Sequence, residues 1–307
     1  MAVQTLAVGI AVLDQGFLVP ALPTGPAKHL ATGYREILGG MAANAAATAA
    51  RLGARSRLLS RVGDDSAGTR IVDELAAHGV VFDDVERVAG MRSSCSAVIL
   101  DASGERVLVN HAPEELLERA PAPPPSTYGA FDAVLVDGRW PAAAVRALEL
   151  ARSRRVPGLA DLDHAMREPE ATALLAAASH IAFSRDGLMR WTGETDPLAG
   201  LAAIRQRTRG ALAVTLGGEG VLFVANDRLD HLPAFPVRAV DTLGAGDTFH
   251  GALLVALAEG TAWCQALRFA AAAAALRCTR PGGRRAFPSR AEVEALLASD
   301  RTEEVSP

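Results

Sequence analysis

The stretch Asp241-Thr242-Leu243-Gly244-Ala245-Gly246-Asp247-Thr248-Phe249-His250-Gly251-Ala252 places a small-residue turn directly before a helical pattern. Small side chains at Gly244, Ala245 and Gly246 leave backbone N–H groups exposed. The positive end of the following helix adds to them, which makes an anion site. Asp247 falls in the first turn of that helix, where a carboxylate beside a bound phosphate is placed to take a proton from an attacking hydroxyl. The plainer alternative is an ordinary glycine turn with Asp247 as a capping residue.

Elements of two kinds must position this turn. From Phe131 onward strand patterns (133–136, 156–160, 180–183, 212–216) alternate with helical ones such as 142–151. That alternation predicts a parallel sheet with helices on both faces, an α/β architecture of three layers. Residues 6–12 read as a further buried strand and 57–62 as another. Residues 41–52, nearly all alanine, read as a helix, as do 68–78, 245–259, 262–277 and 290–298. Two strand patches, 14–38 and 92–111, break the alternation, the second as a hairpin around Ser103-Gly104-Glu105. They predict a small β-sheet projecting near the strand C-termini, where open α/β sheets bind ligands, and so a lid. The proline-rich stretch 121–126 reads as a stiff connector, and 1–307 as a single domain.

Composition narrows the partners. A net charge of -4 with no dense Lys/Arg block argues against nucleic acid and anionic membrane. Cys95, Cys264 and Cys278 are odd in number and far apart, which suits reduced thiols. No targeting signal or bilayer-length apolar run is visible, so a cytoplasmic protein is expected.

The string 241–252 resembles the second PfkB signature, D-T-x-G-A-G-D-x-F-x-G-A, at every fixed position. The first signature is matched in order by Gly39-Gly40, Asn44, residues 50–53 and Val62-Gly63-Asp64-Asp65 with Gly68. It departs where Ser60-Arg61 replaces the usual Gly before Arg-Val-Gly-Asp. The chain is therefore similar to ribokinase-like carbohydrate kinases over essentially its whole length. The resemblance implies a three-layer ribokinase-like fold and transfer of the ATP γ-phosphate to a primary sugar hydroxyl. Asp247 is then the base, and Gly244, Ala245 and Gly246 hold the transferring phosphoryl. Asp14, Gly39, Gly40 and Asn44 match sugar-binding positions. Thr215, Gly217 and Gly220 match the nucleotide loop, with Ser184 and Gly283 also on the nucleotide side. Asp241 and Leu243 would offer oxygens to a monovalent cation such as potassium.

One departure concerns magnesium. Where many relatives carry N-x-x-E, this chain has Ser184 and Gly187. Mg²⁺ would then be held mainly by the ATP phosphates, with Asp161 and Asp163 either as helpers or as caps of the next element. Ketohexokinase-like members share that departure. A resemblance to sulfofructose kinases runs through Arg139-Trp140, residues 182–184 and the loop 278–284. It implies that Lys28, Asn110 and Arg139 converge on an anionic sugar terminus. Ribokinase, fructokinase or ketohexokinase activity on a neutral sugar is the alternative, and a non-catalytic sugar sensor the third reading. Exposed lid edges are expected to pair two copies into a homodimer.

Overall fold

In the computed structural model the described residues are 2–102, 105–163, 166–225, 228–282 and 286–303. The expected strand at 6–12 divides in two. β1 (Gln4–Val8) ends at Gly9, and β2 (Val12–Val19) leaves in a new direction as part of a second sheet. The division has a steric cause. A Cβ on Gly9 would lie 2.0 Å from the Asp137 carboxylate, so only glycine lets β1 turn at this point.

β3 (Gly33–Gly39) pairs antiparallel with β2 and runs into helix α1 (Met41–Arg51). β4 (Arg55–Gly63), α2 (Ser66–Ala77) and the short β5 (Val85–Val88) follow. β6 (Cys95–Asp101) pairs parallel with β2, and β7 (Arg106–His111) antiparallel with β6. The strands β3-β2-β6-β7 thus form a four-stranded mixed sheet separate from the main one, at the two patches that broke the alternation. The tip of the expected 103–105 hairpin turn lies partly outside the described residues.

The remaining chain builds β8 (Ala133–Val136), α3 (Pro141–Arg154), β9 (Gly158–Asp161), α4 (Glu170–Ala177), β10 (His180–Ser184), α5 (Arg185–Thr192) and α6 (Pro197–Arg205). It continues through β11 (Ala211–Thr215), the hairpin β12 (Val221–Ala225) with β13 (Arg228–Leu232), then α7 (Ala245–Ala258), α8 (Trp263–Cys278) and α9 (Arg290–Glu303). The main sheet has the order β13-β12-β11-β10-β9-β8-β1-β4-β5. All pairings from β11 to β5 are parallel, and β12 and β13 close one edge antiparallel. α1, α2, α7, α8 and α9 cover one face and α3 to α6 the other, each with its own apolar core.

Strand order reverses between β1 and β8, because the chain first builds outward through β4 and then returns to β8. A crevice opens at such a reversal, at the strand C-termini. The alanine run of α1 has its reason here. α1 packs against α7 so closely that a Cβ on Gly251 would sit 2.5 Å from the Ala45 carbonyl oxygen. Bulkier residues on either helix would separate the two termini that frame the crevice.

Candidate active site

Each part of the crevice is held by an element end. Gly244 caps α7 in the left-handed region (φ 75°), a conformation glycine adopts without penalty. Gly246 and Asp247 lie in the first helical turn, whose N–H groups have no acceptor within the helix. No atom comes within 4 Å of where a Gly246 Cβ would stand, so the turn faces open space. The half-buried Asp247 accepts a 2.7 Å hydrogen bond from Asn44 Nδ2 through its Oδ2. Burial pushes the Asp247 carboxyl up to about 7, with the Asp161 charge adding to it and Asn44 and His250 opposing. A carboxyl poised near neutrality suits general-base work.

Asp14 sits on β2 with its carboxylate against Gly39, where a Cβ would intrude to 2.3 Å. Burial raises Asp14 to about 6, against the pull of the Ser96 hydroxyl. Gly40 (φ 93°) caps α1, and its missing Cβ leaves room for the Ile10 carbonyl. A cavity of about 180 Å³ lies between the two sheets. Asp14, Gly40, Asn44, Asn110, Arg139 and Asp247 all line it. These are residues from five separated parts of the chain.

Lys28 is exposed in the connection between β2 and β3 and is not among the residues lining the cavity. That connection leaves the sheet edge for solvent, where a long cation stays hydrated. Arg139 remains, with a buried Nε that has no hydrogen-bond partner. Asp137, passed over in the sequence, anchors this corner from the end of β8. It accepts from the N–H groups of Ile10 at 2.8 Å, Ala42 at 3.2 Å and Arg139 at 2.9 Å.

On the other side of α7, Ser184 and Thr215 end neighbouring strands in direct register. Gly217 (φ 62°) and Gly220 (φ 96°) shape the turn after β11, and a Cβ on Gly220 would meet the Leu232 carbonyl oxygen at 2.0 Å. Gly283 lies outside the described residues. Ser184 caps α5, accepting from Gly187 N–H at 3.0 Å. A Cβ at Gly187 would stand 2.7 Å from the Leu162 carbonyl oxygen, so this backbone has no space for a glutamate there.

Asp161 and Asp163 have partners within the chain. Asp163 Oδ1 accepts from the Ser184 N–H at 2.9 Å. Asp161 Oδ2 stands 3.1 Å from His250 Nδ1, and both side chains are buried. Burial alone would lower the His250 imidazole. Asp161, then Asp163 and Asp247, outweigh it and hold the imidazole up at about 9. His250 occupies a variable position of the motif, one turn along α7 from Asp247. No group of three or more His, Cys, Asp or Glu side chains suited to a metal ion occurs among the described residues.

Asp241 lies among nitrogen donors. Its Oδ1 accepts from Leu243 N–H at 2.9 Å and its Oδ2 from Gly282 N–H at 2.8 Å. Arg35 and Arg277 approach Oδ2 at 3.4 and 3.9 Å.

Residues 4–290 match the family described as pfkB family carbohydrate kinase. The chain belongs to that family. It is 33% identical to ribokinase of Bacillus subtilis over 88% of this chain and 90% of that one. It is 30% identical to fructokinase-1 of rice (Oryza sativa subsp. japonica), over 92% of this chain and 95% of that one. The crystal structure of a putative ribokinase from Agrobacterium tumefaciens superposes with a TM-score of 0.91 at 38% identity, covering both chains completely. The protein is thus a sugar phosphotransferase with the ribokinase-like fold. No helix among the described residues is long and apolar enough to cross a membrane.

Proposed function

We propose that this carbohydrate kinase moves the γ-phosphate of ATP onto a primary hydroxyl of a small ketose or pentose held in the cavity between the sheets. The observation that carries the reading is the convergence of Asp14, Asn44 and Asp247 on one cavity. Asp14 and Asn44 accept from and donate to sugar hydroxyls. Asp247 takes the proton of the attacking hydroxyl, and the first turn of α7 stabilises the charge growing on the phosphoryl oxygens. The strand ends and turn at Ser184, Thr215, Gly217 and Gly220 take the nucleotide. Mg²⁺, which neutralises phosphate charge when bound, would be held mainly by the ATP phosphates. The four-stranded sheet acts as the lid. Its β7 is exposed along its whole length and carries Val107, Leu108 and Val109, an edge suited to pairing with a second copy.

The buried, unpartnered Nε of Arg139 favours a sugar with an anionic end, such as sulfofructose, over neutral ribose or fructose. With Lys28 in solvent, that preference rests on Arg139 and Asn110. An ADP-release screen over ribose, fructose, fructose 6-phosphate, sulfofructose and adenosine tests both levels of the reading. Arg139→Ala should lower kcat/KM for an anionic sugar by about tenfold or more while sparing fructose. An equal loss for both would remove the anionic reading and leave a neutral-sugar kinase. Tight sugar binding without ADP release would instead mark a sensor.

A further inference from the structure

The loops around Asp241 and Leu243 offer several oxygens, and a monovalent cation was expected among them. The structure fills that place differently. Arg277, on the last turn of α8, is buried with its side chain 4% exposed. Its Nη1 donates to the carbonyl oxygens of both Asp241, at 3.2 Å, and Arg280, at 3.0 Å. Its Nη2 lies 3.9 Å from Asp241 Oδ2. Other oxygens nearby also accept from nitrogen donors. The Cys278 carbonyl accepts from the Val240 and Asp241 N–H groups, and the Gly282 carbonyl from Arg35. The Asp241 carboxylate accepts from Leu243 and Gly282. A potassium ion needs carbonyl and carboxylate oxygens free to turn inward, and these are committed to N–H groups and a guanidinium. Among the described residues this donor set does not fit the ion.

We propose that the guanidinium of Arg277 supplies, as a fixed part of the chain, the positive charge that a monovalent cation would bring, so that turnover is independent of potassium. The position supports this. Arg277 Nε lies 3.9 Å from where a Gly244 Cβ would stand, so the charge sits directly behind the turn that receives the phosphoryl group. Arginine suits the task because its planar fork can hold two carbonyls and a carboxylate at once. The Arg277 bonds also tie the segment before α7 to the loop after α8. Arg35 on β3 reaches the same Asp241 carboxylate, so the network extends to the lid.

The proposal rests on the kinase reading, and its test separates the two. Initial rates are measured on the full chain with a sugar accepted in the ADP-release screen, as potassium chloride replaces tetramethylammonium chloride at constant ionic strength. Thermal midpoints are recorded in the same salts without substrate. The wild type should show no potassium-specific change in either. Arg277→Met, which keeps the stem and removes the charge, should turn over poorly without potassium and gain a potassium-specific rise in midpoint. Arg277→Lys, which keeps a charge, should remain indifferent to the ion and serves as the readout if Arg277→Met does not fold. Potassium activation of the wild type by about tenfold or more, the range of ordinary effector coupling, would overturn the proposal. So would a potassium-specific rise in the wild-type midpoint, or a folded Arg277→Met that ignores the ion. Failure to phosphorylate any sugar in any salt would count against the kinase reading, while the melting comparison would still report on the cation.

Discussion

Replacing Asp247 by Asn separates the catalytic demand on this residue from its effect on stability. Burial holds the folded carboxyl at about 7 against an ordinary value of 3.8. At about 1.4 kcal/mol per pH unit, a shift of roughly three units destabilises the folded protein by about 4 kcal/mol above neutrality, with no ligand bound. Solvent reaching a half-buried carboxylate screens part of this, so about 2 kcal/mol is the working figure. Below pH 3.8 the group is protonated in both folded and unfolded chains, and the penalty is absent. It grows as pH rises toward 7 and is constant above. The asparagine side chain of the variant carries no charge and can still accept from Asn44 Nδ2. The variant should therefore melt a few degrees above the wild type at pH 8, and the gap should narrow at pH 5. Its kcat should fall by about a hundredfold or more. The wild-type kcat/KM should rise with pH to a plateau above about 7, and the variant should lack that limb. Near-wild-type turnover would remove Asp247 from the role of base. Equal melting temperatures at pH 8 would refute the electrostatic argument.

Gly246→Val places a side chain in the open space before α7, so it should fold normally yet lose about a hundredfold or more in turnover, checked by circular dichroism and initial rates. Gly187→Glu restores the acidic residue of N-x-x-E, but its Cβ meets the Leu162 carbonyl oxygen. Urea titration should show a loss of about 1–3 kcal/mol and calorimetry no tighter Mg²⁺ binding. His250→Leu strands Asp161 as a buried charge and should cost about 3–5 kcal/mol in urea unfolding at pH 6. The His250 contribution in the wild type is fully present below the ordinary histidine value of 6.5 and is lost as pH rises through about 9, a dependence the variant should not show.

The sequence was most readable where a local rule and a catalytic demand coincide. The turn 244–246 before α7, the glycine pair before α1 and the two strand patches of the second sheet all announce themselves through residue type and spacing. The strands β8, β10 and β11 were legible from their apolar runs alone. Residues whose role depends on tertiary partners were not. Asp137 looks like the end of any strand until β1 and α1 bring three N–H groups to it. His250 stands at a free position of the motif, and only β9 supplies its partner. α4, α5, α6 and the β12–β13 hairpin were missed because their short segments carry mixed periodicity. Lys28 could not be placed from sequence, because charge gives no information on how far a loop swings from its sheet.

The backbone contact between α1 and α7 has a consequence for how the enzyme can move. With the Gly251 Cα pressed toward the Ala45 carbonyl, neither helix can slide or tilt without a clash. Asn44 and Asp247 are carried on these two helices and joined by their own hydrogen bond. The helices form one anvil, which keeps Asn44 and Asp247 at a fixed distance. If the smaller sheet opens and closes as a lid, two of the chain crossings that join it to the main body are at Gly9 and Gly40, both with positive φ, and it must also release side-chain ties such as Arg35 to Asp241 and Arg106 to Thr242. Those crossings are where rotation of such a flap would gather.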